Sequence, residues 1–160
     1  MRYETQFVDL QAQHTAVVRA QVTVEEMPEF LGSAFGEIIR ALDKQGLHPT
    51  GAPFGRYRVL EEAGFEAEVG FPCNDVVKPE GRVEAAELPA GRVARTMHVG
   101  AYDDVGAAYD AAISWLIEEG YVTVGAPWES YLDGPEVPEP RTEVFVPCEP
   151  AHPVKRTEED

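Results

Sequence analysis

The segment Gly125–Leu132, GAPWESYL, gathers groups able to do chemistry: the acid Glu129, the phenol Tyr131 two residues on, and the indole Trp128. In a strand alternate side chains share a face. Glu129 and Tyr131 therefore point one way, and Trp128, Ser130 and Leu132 the other. A carboxylate among aromatic rings attracts a cation, by opposite charge and through the ring faces. If burial raises its pKa, the same group can also carry a proton. The competing reading is a surface glutamate on a half-exposed strand. A second segment, LPAGRVARTMHVGAYD (88–103), ends a strand and opens a helix. There Asp103 reads as a helix cap, Gly100 as a tight turn and His98 as a hydrogen-bonded strand-end residue. The functional alternative puts His98 or Tyr102 at the rim of a ligand groove. Glu68 is a second-rank pocket candidate, and Glu143 ranks with it.

Beneath these groups lies a repeat. QGLHPTGAPF (45–54) matches EGYVTVGAPW (119–128), so that Gly46, Gly51 and Phe54 correspond to Gly120, Gly125 and Trp128 at a spacing of 74. EVGFPC (68–73) matches EVFVPC (143–148) at a spacing of 75, and Val17–Arg19 resembles Val93–Arg95. Tyr57 is then the counterpart of Tyr131, and Gly55 that of Glu129. The two tyrosines are expected to face each other across a symmetry axis, with a carboxylate on one side only.

Each copy reads β-α-β-β. In the first, a β-branched strand (14–24) precedes a helix (28–45) with Leu31, Ala34, Phe35, Ile38, Ile39 and Leu42 at helical spacing. Pro28 suits the first helical turn and Gly46 the stop. Strands follow at 54–60 and 65–71, with a hairpin signal at 62–64. The second copy has a strand (91–99), then a helix (103–119) with Val105, Tyr109, Ala112, Ile113 and Leu116 as its buried stripe. Strands at 127–132 and 142–147 complete it. Residues 74–88 read as a polar linker and 133–140 as a Pro-rich loop. The expectation is an α+β fold: duplicated β-α-β-β units related by a pseudo-two-fold axis, a mostly antiparallel sheet with two helices on one face, and a ligand groove between the halves.

The chain has 160 residues and carries 29 acidic against 13 basic side chains, a net charge of −16. That suits one domain and disfavours direct contact with nucleic acid, which needs Lys and Arg to neutralise phosphates. Cys73 and Cys148 stand far apart, outside any CxxC, so a reducing, cytoplasmic setting is expected. No apolar run approaches a membrane span and no signal pattern opens the chain. The four histidines are scattered and no HExxH, P-loop, GxGxxG or GxSxG occurs, so neither a metal nor a cofactor is expected.

LPAG (88–91), HVGAYDDV (98–105), GAPWESYL (125–132) and TEVFVPC (142–148) together resemble the GyrI-like family, the effector-binding domain of AraC- and MerR-type regulators in the SOUL/GyrI superfamily. The resemblance covers roughly residues 5–148, and Ala101 stands where that family's pattern has proline. It implies a single domain over 1–148, with halves at about 5–73 and 88–148; the polar, charged tail at 149–160 reads as disordered. It also implies a small-molecule-binding protein for amphipathic, cationic or neutral aromatic compounds, acting in effector sensing or in drug or toxin sequestration. No basic helix-turn-helix precedes the domain in this sequence, so a standalone protein is the expectation. The ligand-binding residues implied are Glu129, Tyr131 and Trp128, and more weakly Tyr57, His98, Tyr102 and Glu68. Two alternatives come with the resemblance. One is a hydrolase of cyclopropane-bearing DNA-alkylating toxins, with Glu129 and Tyr131 catalytic. The other is a module that binds a protein partner, a regulator or gyrase.

Overall fold

A computed structural model describes residues 3–60, 64–134 and 136–151, apart from the side chain of Asp103. Its elements run β1 (Thr5–Leu10), β2 (Gln13–Val22), α1 (Met27–Lys44), β3 (Phe54–Val59), β4 (Phe65–Pro72), β5 (Glu84–Leu88), β6 (Gly91–Val99), α2 (Gly106–Glu118), β7 (Tyr121–Thr123), β8 (Trp128–Tyr131) and β9 (Arg141–Pro150). Eight strands form one curled antiparallel sheet in the order β1-β6-β9-β8-β3-β4-β2-β5, and β7 pairs with the end of β9. The order reads the same from either end once each strand is exchanged for its repeat. The α+β fold, the duplicated units and the two helices on one sheet face are therefore as expected.

Local chemistry places the elements. Thr23 and Glu26 cap each other reciprocally ahead of α1: the Thr23 N–H donates to Glu26 Oε1 (2.9 Å) and the Glu26 N–H to Thr23 Oγ1 (3.2 Å). Pro28 sits in the first turn, and Gly46, at φ +72°, lies just past the helix end. The face with Phe30, Ala34, Ile38 and Leu42 packs on Ala16, Val18, Ala67 and Val69 of β2 and β4. α2 repeats this with Ala108, Ala112 and Leu116 on Ala94, Val144 and Val146. A third core lies on the opposite, concave face, where Val17, Phe54, Leu88, Val93, Trp128 and Phe145 meet. No helix among the described residues is long and apolar enough to cross a membrane.

Several expectations need correction. The segment read as a polar linker contains β5; its sequence, EAAEL, has low strand propensity, and pairing with β2 alone makes it a strand. β1 and β7 were not anticipated. The second helix begins at Gly106, after a 3-10 turn at Tyr102–Asp104, and its N-cap position is Val105 with no side-chain cap. The expected cap Asp103 is not described beyond its backbone. Ile113 is 37% exposed and leaves the buried stripe. β9 runs past the tail boundary set at 149: Glu149 and Pro150 pair with β7, and the Ala151 N–H donates to Gly120 O (2.8 Å). The rest of the expected tail, 152–160, lies outside the described residues, as do 61–63 of the hairpin; beside it the Leu60 N–H donates to Gly64 O (3.1 Å).

The pairing also resets the repeat. Thr15 pairs with Pro72 as Val93 pairs with Pro147, so Thr15 and Val93 are equivalent. Arg19 then corresponds to Met97 rather than Arg95. Gly70 of β4 is closely crowded on the side of the third core: a Cβ there would overlap the Ala16 carbonyl oxygen and lie 2.9 Å from a Val17 methyl. The equivalent position in β9 holds Phe145. Because the obstacle at Gly70 is backbone, Gly70→Ala is expected to cost about 1–3 kcal/mol of overpacking. A fall of several degrees in Tm, read by differential scanning calorimetry, is the expected result; an unchanged Tm would show that the strands part freely there.

Candidate functional site

The pseudo-two-fold axis passes between β3 and β8, which meet through only two pairs, Phe54 with Ser130 and Gly55 with Glu129. Gly55 and Glu129 are themselves repeat equivalents, and only residues on the axis pair with their own counterparts. Their face of the sheet is the helix face, since Glu129 pairs with Val144 of the α2 core and Tyr57 with Ala67 of the α1 core. α1 packs on β2 and β4, and α2 on β6, β7 and β9, so the axis lies between the helices.

Glu129 is 7% exposed. Tyr109 of α2 donates to its Oε2 (2.7 Å) and Tyr131 donates to its Oε1 (2.9 Å). Since the Tyr131 proton points to the carboxylate, Tyr57 donates in turn to the Tyr131 oxygen (2.5 Å). The expected meeting of Tyr57 and Tyr131 across the axis is thus present, with the carboxylate on one side. Gly55 makes it possible: a Cβ there would overlap the Tyr57 hydroxyl and ring end. A second acid at 55 would also set like charges directly opposite each other, which is destabilising.

Burial drives the electrostatics. Desolvation raises the Glu129 pKa above the ordinary carboxylate range; the hydrogen bonds from Tyr109 and Tyr131 and the nearby His98 oppose this without reversing it. The Tyr57, Tyr109 and Tyr131 hydroxyls are pushed up, again chiefly by desolvation, so all three remain protonated donors at neutral pH. A buried carboxylate with two donors and a third phenol in line can hold either a proton or a cation.

Of the other expected residues, Tyr102 meets the group at Tyr131. Its ring meets that of Tyr131 edge-on (5.8 Å between centroids) and its hydroxyl donates to Asp133 O (2.6 Å). His98 is 2% exposed, with Nε2 against Ala101 O (2.8 Å) and Nδ1 against the Tyr3 hydroxyl (3.0 Å). Bonded at both nitrogens, it holds the β6–α2 turn, in which Ala101 takes a proline-like φ of −57° and ψ of 141°. Between His98 and Tyr131 lies Thr142, fully buried, its Oγ1 without a partner among the described residues.

Two expected residues do not join the group. Trp128 is 2% exposed on the concave face and stacks on Phe145 (5.4 Å, 21°), as strand alternation requires. Glu68 also faces that side, held by Arg19 and Arg56. Tyr109 was missed as a site residue. Its helical spacing marks it as core, and only the approach of α2 to the axis shows its hydroxyl on Glu129.

Comparison with known proteins follows this geometry. No curated protein matches the chain. Among solved structures, the crystal structure of the EcmrR C-terminal domain is similar over 94% of this chain and 100% of that one, with 25% identity and a TM-score of 0.82. EcmrR in its DNA complex in EcmrR-RPo matches 93% of this chain at 25% identity and a TM-score of 0.79; this chain spans only 58% of that one. SAV2435 bound to tetraphenylphosphonium matches 91% of this chain and 94% of its own at 14% identity and a TM-score of 0.63, a likeness of fold. The GyrI-like small molecule binding domain family matches residues 3–149, in agreement with the curled antiparallel sheet and its two helices, and the chain belongs to that family.

Proposed function

We propose that the chain binds an amphipathic aromatic cation in a groove that opens between α1 and α2, with Glu129 as its charge partner and Tyr57, Tyr131 and Tyr102 as its aromatic walls. The observation that carries this reading is the axial carboxylate: buried, held by hydroxyls alone, with no Arg or Lys ion pair at its oxygens among the described residues. A cation that enters supplies the missing charge and gains the ring faces. The tetraphenylphosphonium complex of SAV2435 is in keeping with a ligand of that kind. The net charge of −16 favours such a ligand over direct contact with nucleic acid. Binding serves effector sensing or sequestration of a drug or toxin. A regulatory protein partner, rather than DNA, is the macromolecule that suits this acidic domain.

Glu129→Gln keeps the shape and removes the charge. Calorimetry is expected to show methyltriphenylphosphonium weakened about tenfold or more, at least ~1.4 kcal/mol, and triphenylphosphine oxide almost unaffected. Equal losses for the two would remove charge from the explanation.

Proton linkage gives a second check. The folded-state pKa of Glu129 lies above its unfolded value, so its stabilising contribution is full below the unfolded pKa and is lost as pH rises through the folded one. The Tm of Glu129→Gln minus that of wild type should therefore increase with pH above about 4.3, the ordinary glutamate value. A cation must displace the same proton, so wild-type affinity should rise over the same interval. Over that interval, proton release should appear as a binding enthalpy that varies with the buffer's ionisation enthalpy. A Tm difference flat with pH would mean that Glu129 titrates as an ordinary surface acid.

A further inference from the structure

Two cavities on the concave face share repeat-related borders and differ in the rest of their linings. One, of about 420 Å³, is bordered by Arg56, Gly125, Ala126 and Pro147; the other, of about 170 Å³, by their counterparts Ser130, Gly51, Ala52 and Pro72. Beside the first, Glu68 is held by Arg19 (Nε to Oε2, 2.9 Å) and by Arg56 (Nε to Oε1, 2.7 Å), each directly opposite it on the flanking strand. Its twin Glu143 lies directly opposite Met97 and Ser130. Both arginines that hold Glu68 have thus been replaced at the equivalent positions. Among the described residues the nearest cation to Glu143 is Arg95, two residues off register, with Nε at 3.7 Å, and the Glu143 side chain is 20% exposed.

Three aromatic side chains contribute to the wall of the smaller cavity, with Leu10, Gln13 and Leu132 beside them. Phe54, Trp128 and Phe145 line it together with Leu88, and Glu143 and Ser130 stand among them. A cavity of about 150 Å³ with apolar walls is enough to hold benzene. A carboxylate accepts a planar fork of N–H donors bidentately, as it does from arginine. We propose that this cavity is a second ligand site, taking a one- or two-ring aromatic amidine or guanidine whose ring lies against Trp128 and Phe145 and whose N–H fork takes the place of the missing arginine on Glu143. The site is distinct from the groove at Glu129, since Ser130 and Glu129 are neighbours on β8 with opposite faces. It stands whether or not the groove binds cations.

Benzamidine is the probe, titrated into the whole chain by calorimetry and by NMR of the two indole N–H signals, the Trp128 signal being the one absent in Trp128→Phe. Binding is expected to move the Trp128 signal rather than that of Trp115. Glu143→Gln should weaken binding at least tenfold. Ser130→Arg, which returns the twin's arginine, should also weaken it at least tenfold and leave the Tm equal or higher. Should Ser130→Arg fail to fold, Glu143→Gln decides alone. An unchanged Kd in folded Glu143→Gln overturns the proposal, as does a Trp128 signal that stays fixed at every soluble benzamidine concentration. Loss of binding on Glu129→Gln, with both other variants unaffected, would place benzamidine in the groove and overturn it as well.

Discussion

A carboxylate taken out of water has to be compensated, by hydrogen-bond donors, by a cation or by a proton. Glu129 has donors: one phenol from the helix above it, one from its own strand, and a second-strand phenol behind that. Each donor arrives by a different route through the chain. Tyr109 needs α2 packed on the second half of the sheet. Tyr131 needs the two-residue alternation of β8. Tyr57 needs the first half of the chain folded and set against the second, where β3 meets β8. The axial network therefore exists only when both halves are in place, and it couples their docking to the protonation of one acid.

The sheet that carries this network has two working faces. On the helix side, polar groups gather at the axis between two apolar cores. On the concave side, the central strands contribute Phe54 and Trp128 to a third core that joins the halves from beneath. β8 spans only four residues, yet alternate residues serve both sides: Glu129 and Tyr131 above, Trp128 and Ser130 below. Motion of this strand in response to one face is necessarily felt at the other, because pleated alternation admits no slip of a single residue.

Much of this was legible in the residues. The GAP turns and the VPC-like strand ends fixed the equivalence of Tyr57 with Tyr131 and of Gly55 with Glu129. Alternation alone put Trp128 on the other side from Glu129; its inclusion among ligand contacts came from the family pattern, and packing against Phe145 places it in the core. Glu68 was misjudged because charge on a strand face does not reveal a partner on the next strand, and Arg19 and Arg56 supply two. β5 was invisible because its residues favour no strand until β2 offers one. Tyr109 was hidden for the opposite reason: a tyrosine at helical spacing looks like core, and most of it is. The repeat register of β2 was misread because Val-x-Arg recurs two residues early, and ladder pairing corrects what letter matching cannot.

A residue on a two-fold axis meets its own copy. Two identical half-chains assembled on this axis would have to place the same side chain at both 55 and 129. Two glutamates there would repel, and two glycines would leave the phenols with no acid to hold. Joining the halves in one chain removes that identity and lets one copy become Glu129 while the other shrinks to Gly55 and makes room for Tyr57. The single axial acid is thus a feature that gene fusion permits and homodimerisation forbids. Its history is that of a duplicated domain whose centre became asymmetric while its scaffold stayed symmetric.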